Sequence, residues 1–203
     1  MAPVGVMPGP LSETRKREID SMKVINELSR SNSGTNSATV TIPPQDGLVV
    51  GRQVTFTSPG AGTLTIYCAQ SQVIANAAVS AGTTLVIDTD SNGYVDGAVL
   101  TTNDYVLVFH PTTGAATLSA ISVVGSVSSS TVSLTLGTAI TCSEDDKIYV
   151  VRAAGIETHT VAAETVRGLD YFYAGMAPKM PVHMVLAATG TCRLSTFVQV
   201  KER

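Results

Sequence analysis

Five residues within "VIDTDSNGYVDGAVL", Val86 to Leu100, have the types and spacing of a cation site. A calcium loop takes oxygen ligands at positions 1, 3, 5, 7 and 9, a glycine at 6 and a bidentate glutamate at 12. Asp88, Asp90, Asn92, Gly93 and Asp96 fall at positions 1, 3, 5, 6 and 9, with the Tyr94 carbonyl at 7. Position 12 is Val99, so the strongest ligand is missing, and no amphipathic helix flanks the loop. Apolar "LVID" and "GAVL" lie on either side instead. Asn92-Gly93 is a favoured pair for a type I′ hairpin turn, and Asp96-Gly97 is a second turn signal. We therefore read a hairpin. Asp88, Asp90, Asn92 and Asp96 are the residues that would hold a structural calcium ion, the one cofactor this spacing admits.

The other reactive side chains do not assemble by spacing. His110 precedes Pro111, His159 lies in "ETHTV" and His183 in "PVHMV". None has a metal-ligand neighbour two to four residues ahead; Glu157 stands beside His159 at a strand-like spacing. Glu144-Asp145-Asp146 occupies a turn before "KIYVV", where exposed acids keep a sheet edge from pairing. Ser126, Ser128, Ser129 and Ser130 sit in a strand and turn, where serine satisfies nearby backbone groups. No G-x-S-x-G, P-loop, H-E-x-x-H or G-x-G-x-x-G occurs. No catalytic residue is expected, and the chain is read as a non-enzyme.

Composition says which elements must position these groups. Of 203 residues only 14% are charged and 5% aromatic, with no Trp. Ala, Val, Thr, Ser and Gly dominate, a mixture suited to pleated, half-buried surfaces. The fold expected is mainly β, a sandwich or barrel-like body. A net charge of −3 argues against a nucleic-acid surface, which needs clustered Lys and Arg. No apolar run reaches membrane-spanning length, and the first twenty residues lack the apolar stretch of a signal peptide. Cys68, Cys142 and Cys192, odd in number and far apart, read as small buried hydrophobes.

Two regions are expected: an N-terminal arm over residues 1–37 and a β-rich body over 38–203. Pro3, Pro8 and Pro10 keep the start extended. Ser12 then caps a helix running to about Ser29, with Ile19, Met22, Val24, Ile25 and Leu28 on one broad apolar arc. So wide an arc needs covering, either by the chain's own β body or by a neighbouring subunit; for the second, Ile19, Met22, Ile25 and Leu28 are the leading partner-contact residues. "SRSNSGTNS", Ser29 to Ser37, reads as a flexible connection. From Ala38 the chain alternates in short strands: "ATVTI", "RQVTFTS", "GTLTIYCAQ", "TTLVID", "YVLVF", "ATLSAISVVGSV", "TVSLTL", "KIYVVRA", "HMVLAA" and "TFVQV". Ala162 to Leu169 could instead make two helical turns. Tyr171, Phe172 and Tyr173 form the densest aromatic group, with Tyr171 and Phe172 as second-choice contact residues.

"SSSTVSLTLGTAITCSEDDKIYVVRAAGIE" and the following "ETVRGLDYFYAG" resemble segments of head proteins of tailed bacteriophages, over about Val127–Gly175. The resemblance implies residues that are structural, with no catalytic set. A shell-forming subunit of the common phage fold is longer and carries a long spine helix, for which the body has no candidate. What is implied is therefore an auxiliary capsid subunit of decoration or cement type. It would be made in the host cytoplasm and located in the phage head, bound to the major capsid protein or other virion subunits, with no nucleic acid and no membrane. Self-association as a dimer or trimer is expected from the uncovered arm. The alternative is a receptor- or carbohydrate-binding module of a tail or fibre, against which the lack of Trp counts.

Overall fold

The computed structural model describes residues 25–45, 48–163, 165–170 and 179–201. Among these the regular structure is strand, apart from one short 3-10 turn at Ala153–Gly155. The first strands are β1 (Ile25–Ile42), β2 (Leu48–Ser58) and β3 (Gly62–Cys68). Then follow β4 (Ser71–Ile74), β5 (Val79–Asp88), a small hairpin of β6 (Tyr94–Val95) and β7 (Ala98–Val99), and β8 (Tyr105–Phe109). The rest are β9 (Ala116–Ser128), β10 (Thr131–Cys142), β11 (Lys147–Val151), β12 (Ile156–Val161), β13 (Thr165–Asp170) and β14 (Val182–Lys201). The mainly β expectation holds, and the strands divide into two curled sheets.

The first sheet joins the two ends of the described chain. β14 runs antiparallel to β1 along its whole length, from Ile25 opposite Lys201 to Ile42 opposite Val182. On its other side β14 meets β2 and β3 laid end to end, Thr57 opposite Arg193 and Gly62 opposite Ala188. β12 and β13 continue this arrangement outward, Val161 facing Gly62 and Thr165 facing Ser58. The six strands thus make four long rows, and the described rows break at one level. Asn36 is left-handed in β1, Gly190 in β14, and Pro59-Gly60-Ala61 separate β2 from β3. At this crease the Asn36 side chain accepts a bond from the Gly190 amide at 3.1 Å, and a Cβ on Gly190 would lie 2.7 Å from Pro59.

Alternation puts even-numbered residues of β14 on the concave face. Met184 and Leu186 on one side of the crease share a buried cluster with Leu194 and Val198 on the other, together with Phe56, Leu64 and Ile66. The sheet is folded over a single core of its own.

The second sheet has the order β4-β11-β8-β9-β10-β5. Its ends meet: Ala75 bridges Ile87, and the Asn76 amide donates to the Val86 carbonyl at 2.8 Å, so the sheet closes as a small barrel. Inward residues at every second position of β10 (Val132, Leu134, Leu136) join Leu85, Ile87, Val106, Ile121, Ile148 and Val150 in its core. β8 and β11 read as unbroken apolar runs because both of their faces are covered. Val106, Val108, Ile148 and Val150 face the barrel interior, while Leu107, Tyr149 and Val151 pack in a separate cluster with Tyr67, Ile156 and Met180 of the first sheet's side.

Three differences from the sequence reading have physical causes. Ile25–Ser29, assigned to the end of a helix, lie in β1; the earlier residues of that expected helix lie outside the described residues. Ser29–Ser37, expected to be a flexible connection, is also in β1, held by backbone pairing to β14 rather than by side-chain burial. Of Ala162–Leu169, offered as two helical turns, Thr165–Leu169 lie in β13, because β2 presents an edge of matching length.

The β9–β10 turn uses Ser129 and Ser130, both left-handed at φ 50° and 64°, between paired Ser128 and Thr131. That is the backbone of a type I′ turn built from residues that dislike it. Exchanging the pair for Asn-Gly is expected to raise stability by about 1 kcal/mol, measured as a shift in urea midpoint without change in slope. An unchanged or lower midpoint would count against this account of the turn.

Candidate functional site: the acidic hairpin and the seam between the sheets

The 88–96 stretch is organised by one carboxylate. Asp90 Oδ1 accepts from the amides of Asn92 and Tyr94, each at 2.8 Å, while the Asp90 amide donates to the Tyr94 carbonyl at 3.0 Å. The Gly93 amide returns to the Asp90 carbonyl at 3.0 Å, with Gly93 at φ 77°. This is a three-residue reversal ending in a left-handed glycine. The type I′ turn expected at Asn92-Gly93 is found instead at Asp96-Gly97, φ 49° and 78°, between paired Val95 and Ala98. Asp88 Oδ1 accepts from Asn76 Nδ2 at 2.9 Å. Among the described residues no three His, Cys, Asp or Glu side chains are grouped as a metal cluster would need.

Arg152 and Asp104 were not singled out from the sequence. Arg152, just after β11, donates through Nη1 to Asp104 Oδ2 at 3.0 Å and to the Val99 carbonyl at 2.8 Å. Its Nη2 reaches the carbonyls of Val95 and Ala98 at 2.9 and 3.1 Å. Buried Asp104 also accepts from the amides of Thr101 (2.9 Å) and Ala153 (3.3 Å). One guanidinium therefore fixes the β6–β7 hairpin to the barrel wall. The only available signals were a charged residue ending an apolar strand and an Asp in "TTND".

The third cluster lies where the barrel covers the outer face of the folded sheet. Thr41, His183, Tyr67 and Ile156 form a row across four strands of that face. Thr41 Oγ1 and His183 Nδ1 are 2.8 Å apart, and the His183 ring lies 6.3 Å from that of Tyr67. Tyr67 in turn packs on Tyr105 of β8, ring centroids 5.2 Å apart. Burial pushes the Tyr67 phenol up, with Tyr105 adding to the shift, and burial likewise raises Tyr149. His183 is pushed down to about 4, again by burial.

No family model matches the chain, and no curated protein matches it. Among solved structures it is similar to VP17, a capsid protein of bacteriophage P23-77. The TM-score is 0.25 and the identity 10%, over 88% of this chain and 98% of that one. It is similar also to the VP16-VP17 complex of the two major capsid proteins of that phage, at TM-score 0.25 and 10% identity, over 87% and 100% of the respective chains. At such a TM-score the likeness carries no argument, and a function for this chain has to rest on its own residues.

Of the expected contact residues, Ile19, Met22, Tyr171 and Phe172 lie outside the described residues. Ile25 opens β1 opposite Lys201. Leu28 is half-buried against the core of its own sheet. The cysteines are buried, as expected of small hydrophobes.

His183 gives the fold a defined acid response. Its folded-state value near 4 lies below the ordinary 6.5, so as pH falls the unfolded chain takes up the proton first. The contribution is whole above about pH 6.5 and lost as pH falls towards 4, amounting to about 3 kcal/mol. Urea unfolding at pH 7.5 and 4.5 should show a loss larger by that amount in the native chain than in His183→Gln. Equal losses would remove His183 as the cause.

Proposed function

We propose that the chain is a non-enzymatic virion structural protein, an auxiliary capsid subunit of decoration or cement type. In this reading it attaches to neighbouring capsid subunits through residues 1–37 and the outer surface of the β body. The observation that carries the reading is β1. It is an 18-residue strand that pairs, among the described residues, with β14 along one edge, and in this reading its other edge receives a partner; it follows in sequence on the apolar positions Ile19 and Met22. Two closed apolar cores make a body suited to bearing contacts, and several weak contacts per subunit add up across a lattice. The phage-head resemblance over Val127–Gly175 supports the same role. Location in the phage head and self-association as a dimer or trimer belong to this proposal.

The test uses the full chain and its Ile19→Asp/Met22→Asp variant. Light scattering should give an oligomer for the native chain and a folded monomer for the variant, and only the native chain should sediment with phage capsids. A variant that assembles and sediments like the native chain would end the arm's role. A native chain that never sediments with capsids would end the proposal itself.

A further inference from the structure

The fold holds two separate apolar cores, one inside the folded sheet and one inside the barrel, and a thinner third cluster between them. The chain crosses from one body to the other at Cys68–Ser71 and again at Val151–Ile156. Among the described residues the third cluster has Ala69, Leu107, Tyr149 and Val151 buried, with Tyr67, Tyr105, Phe109, Leu118, Ile156 and Met180 partly open. Each body keeps its own core if this seam parts. The seam is therefore the least costly place for the molecule to open, in keeping with the rule that local openings occur in the regions of fewest buried apolar contacts.

A histidine sits in that seam. His183 is 6% exposed on the outer face of the folded sheet, between Val182 and Met184, which belong to the inner core. We propose that His183 is an acid-sensitive latch: proton uptake on its ring parts the folded sheet from the barrel while both inner cores stay closed.

The surroundings explain why a charge could not be housed there. From β1 the ring meets the Thr41 hydroxyl, from β3 the Tyr67 phenol, and beyond it the seam is lined by Tyr105 of β8, Tyr149 of β11 and Ile156 of β12. These groups supply no negative charge to offset an imidazolium. Glu157 and His159 of β12, 3.1 Å apart, share the alternation of Val161, which faces the opposite, inner side of the sheet. Among the described residues a charged ring thus has one hydroxyl partner and an apolar, aromatic enclosure, and moving it to water requires the seam to open. The direction of the His183 shift, caused by burial, agrees with this geometry. The inference stands independently of any role in a virion.

The experiment tracks the full chain from pH 7 to pH 4 by near-ultraviolet dichroism, which reports the packed tyrosines, and by far-ultraviolet dichroism, which reports the strands. The native chain should lose most of its tyrosine signal in an acid step while keeping its strand signal, and the radius of gyration from X-ray scattering should rise at the same step. His183→Gln, which keeps a hydrogen-bonding side chain but takes up no proton, should lack the step; His110→Gln and His159→Gln should keep it. If the two dichroism signals fall together, or the step survives in His183→Gln, the latch is refuted. Should His183→Gln fail to fold, nuclear magnetic resonance titration of the native His183 ring decides. Its midpoint must coincide with the tyrosine step, and a ring that titrates without that step refutes the latch.

Discussion

Replacing Arg152 with methionine is expected to cost the fold about 3 kcal/mol, since it leaves Asp104 buried beside a partner that no longer carries charge. Asp104 is 3% exposed, and the lost guanidinium also served the carbonyls of Val95, Ala98 and Val99. The effect should therefore have a place as well as a size. Amides of the β6–β7 hairpin should exchange with solvent much faster, while those of β8 and β10 keep their protection. Combining Arg152→Met with Asp104→Asn should cost less than the sum of the two single changes, because the second change removes the stranded charge. If the hairpin amides stay protected in Arg152→Met, the clamp is not what holds them.

Gly62→Ala is expected to do comparable damage by a different route. Gly62 lies between Ala188 of β14 and Val161 of β12, at the level where the rows of the folded sheet break. A Cβ there would overlap the Ala187 carbonyl oxygen and the Ala188 side chain, and backbone on that side cannot swing aside as a flexible side chain could. Overpacking of this kind costs up to about 3 kcal/mol. For a chain of this length that is a fall of about 10 °C in thermal midpoint. Gly97→Ala makes a useful contrast, since no heavy atom lies within 4 Å of the added group and only the left-handed backbone opposes it. A Gly62→Ala midpoint within a degree or two of native would mean the rows can slide at that point.

The body's strands were legible because their alternation is written in the side chains. "TVSLTL" has Val132, Leu134 and Leu136 facing inward, and all three are buried in the barrel. Strands whose stability comes from a neighbour's backbone left no such trace. Ser29–Ser37 carries no apolar pattern, and its pairing is set by β14, 150 or more residues away in sequence. The crease was hidden for a related reason: Asn36, Pro59-Gly60 and Gly190 each read as an ordinary turn residue, and only the sheet brings them to one level. In the acidic hairpin, turn chemistry was read at the right residues, but Asp90 took the amides and moved the type I′ turn to Asp96-Gly97. The burial of His183 could not be seen in "PVHMV", because alternation tells which face a residue shares, not what covers that face. Tyr67 beside it packs on Tyr105 of β8, and the three or four consecutive buried residues of β8 and β11 were the one hint that a second layer lies behind them.

The two bodies also differ in when they can be completed during synthesis. Every strand of the barrel lies within residues 71–151, an uninterrupted stretch, so all of its pairings are available once that stretch has left the ribosome. The folded sheet is the opposite case: β1, β2 and β3 emerge before the barrel, yet each pairs with β14, which emerges after it. Since domains form as units while the chain is made, the barrel can close early, with β1–β3 waiting beside it as unpaired edges. A chain stopped short of residue 182 would carry a finished barrel and three strands with no central partner. For this protein the synthesis of Val182–Lys201 converts an aggregation hazard into a sheet.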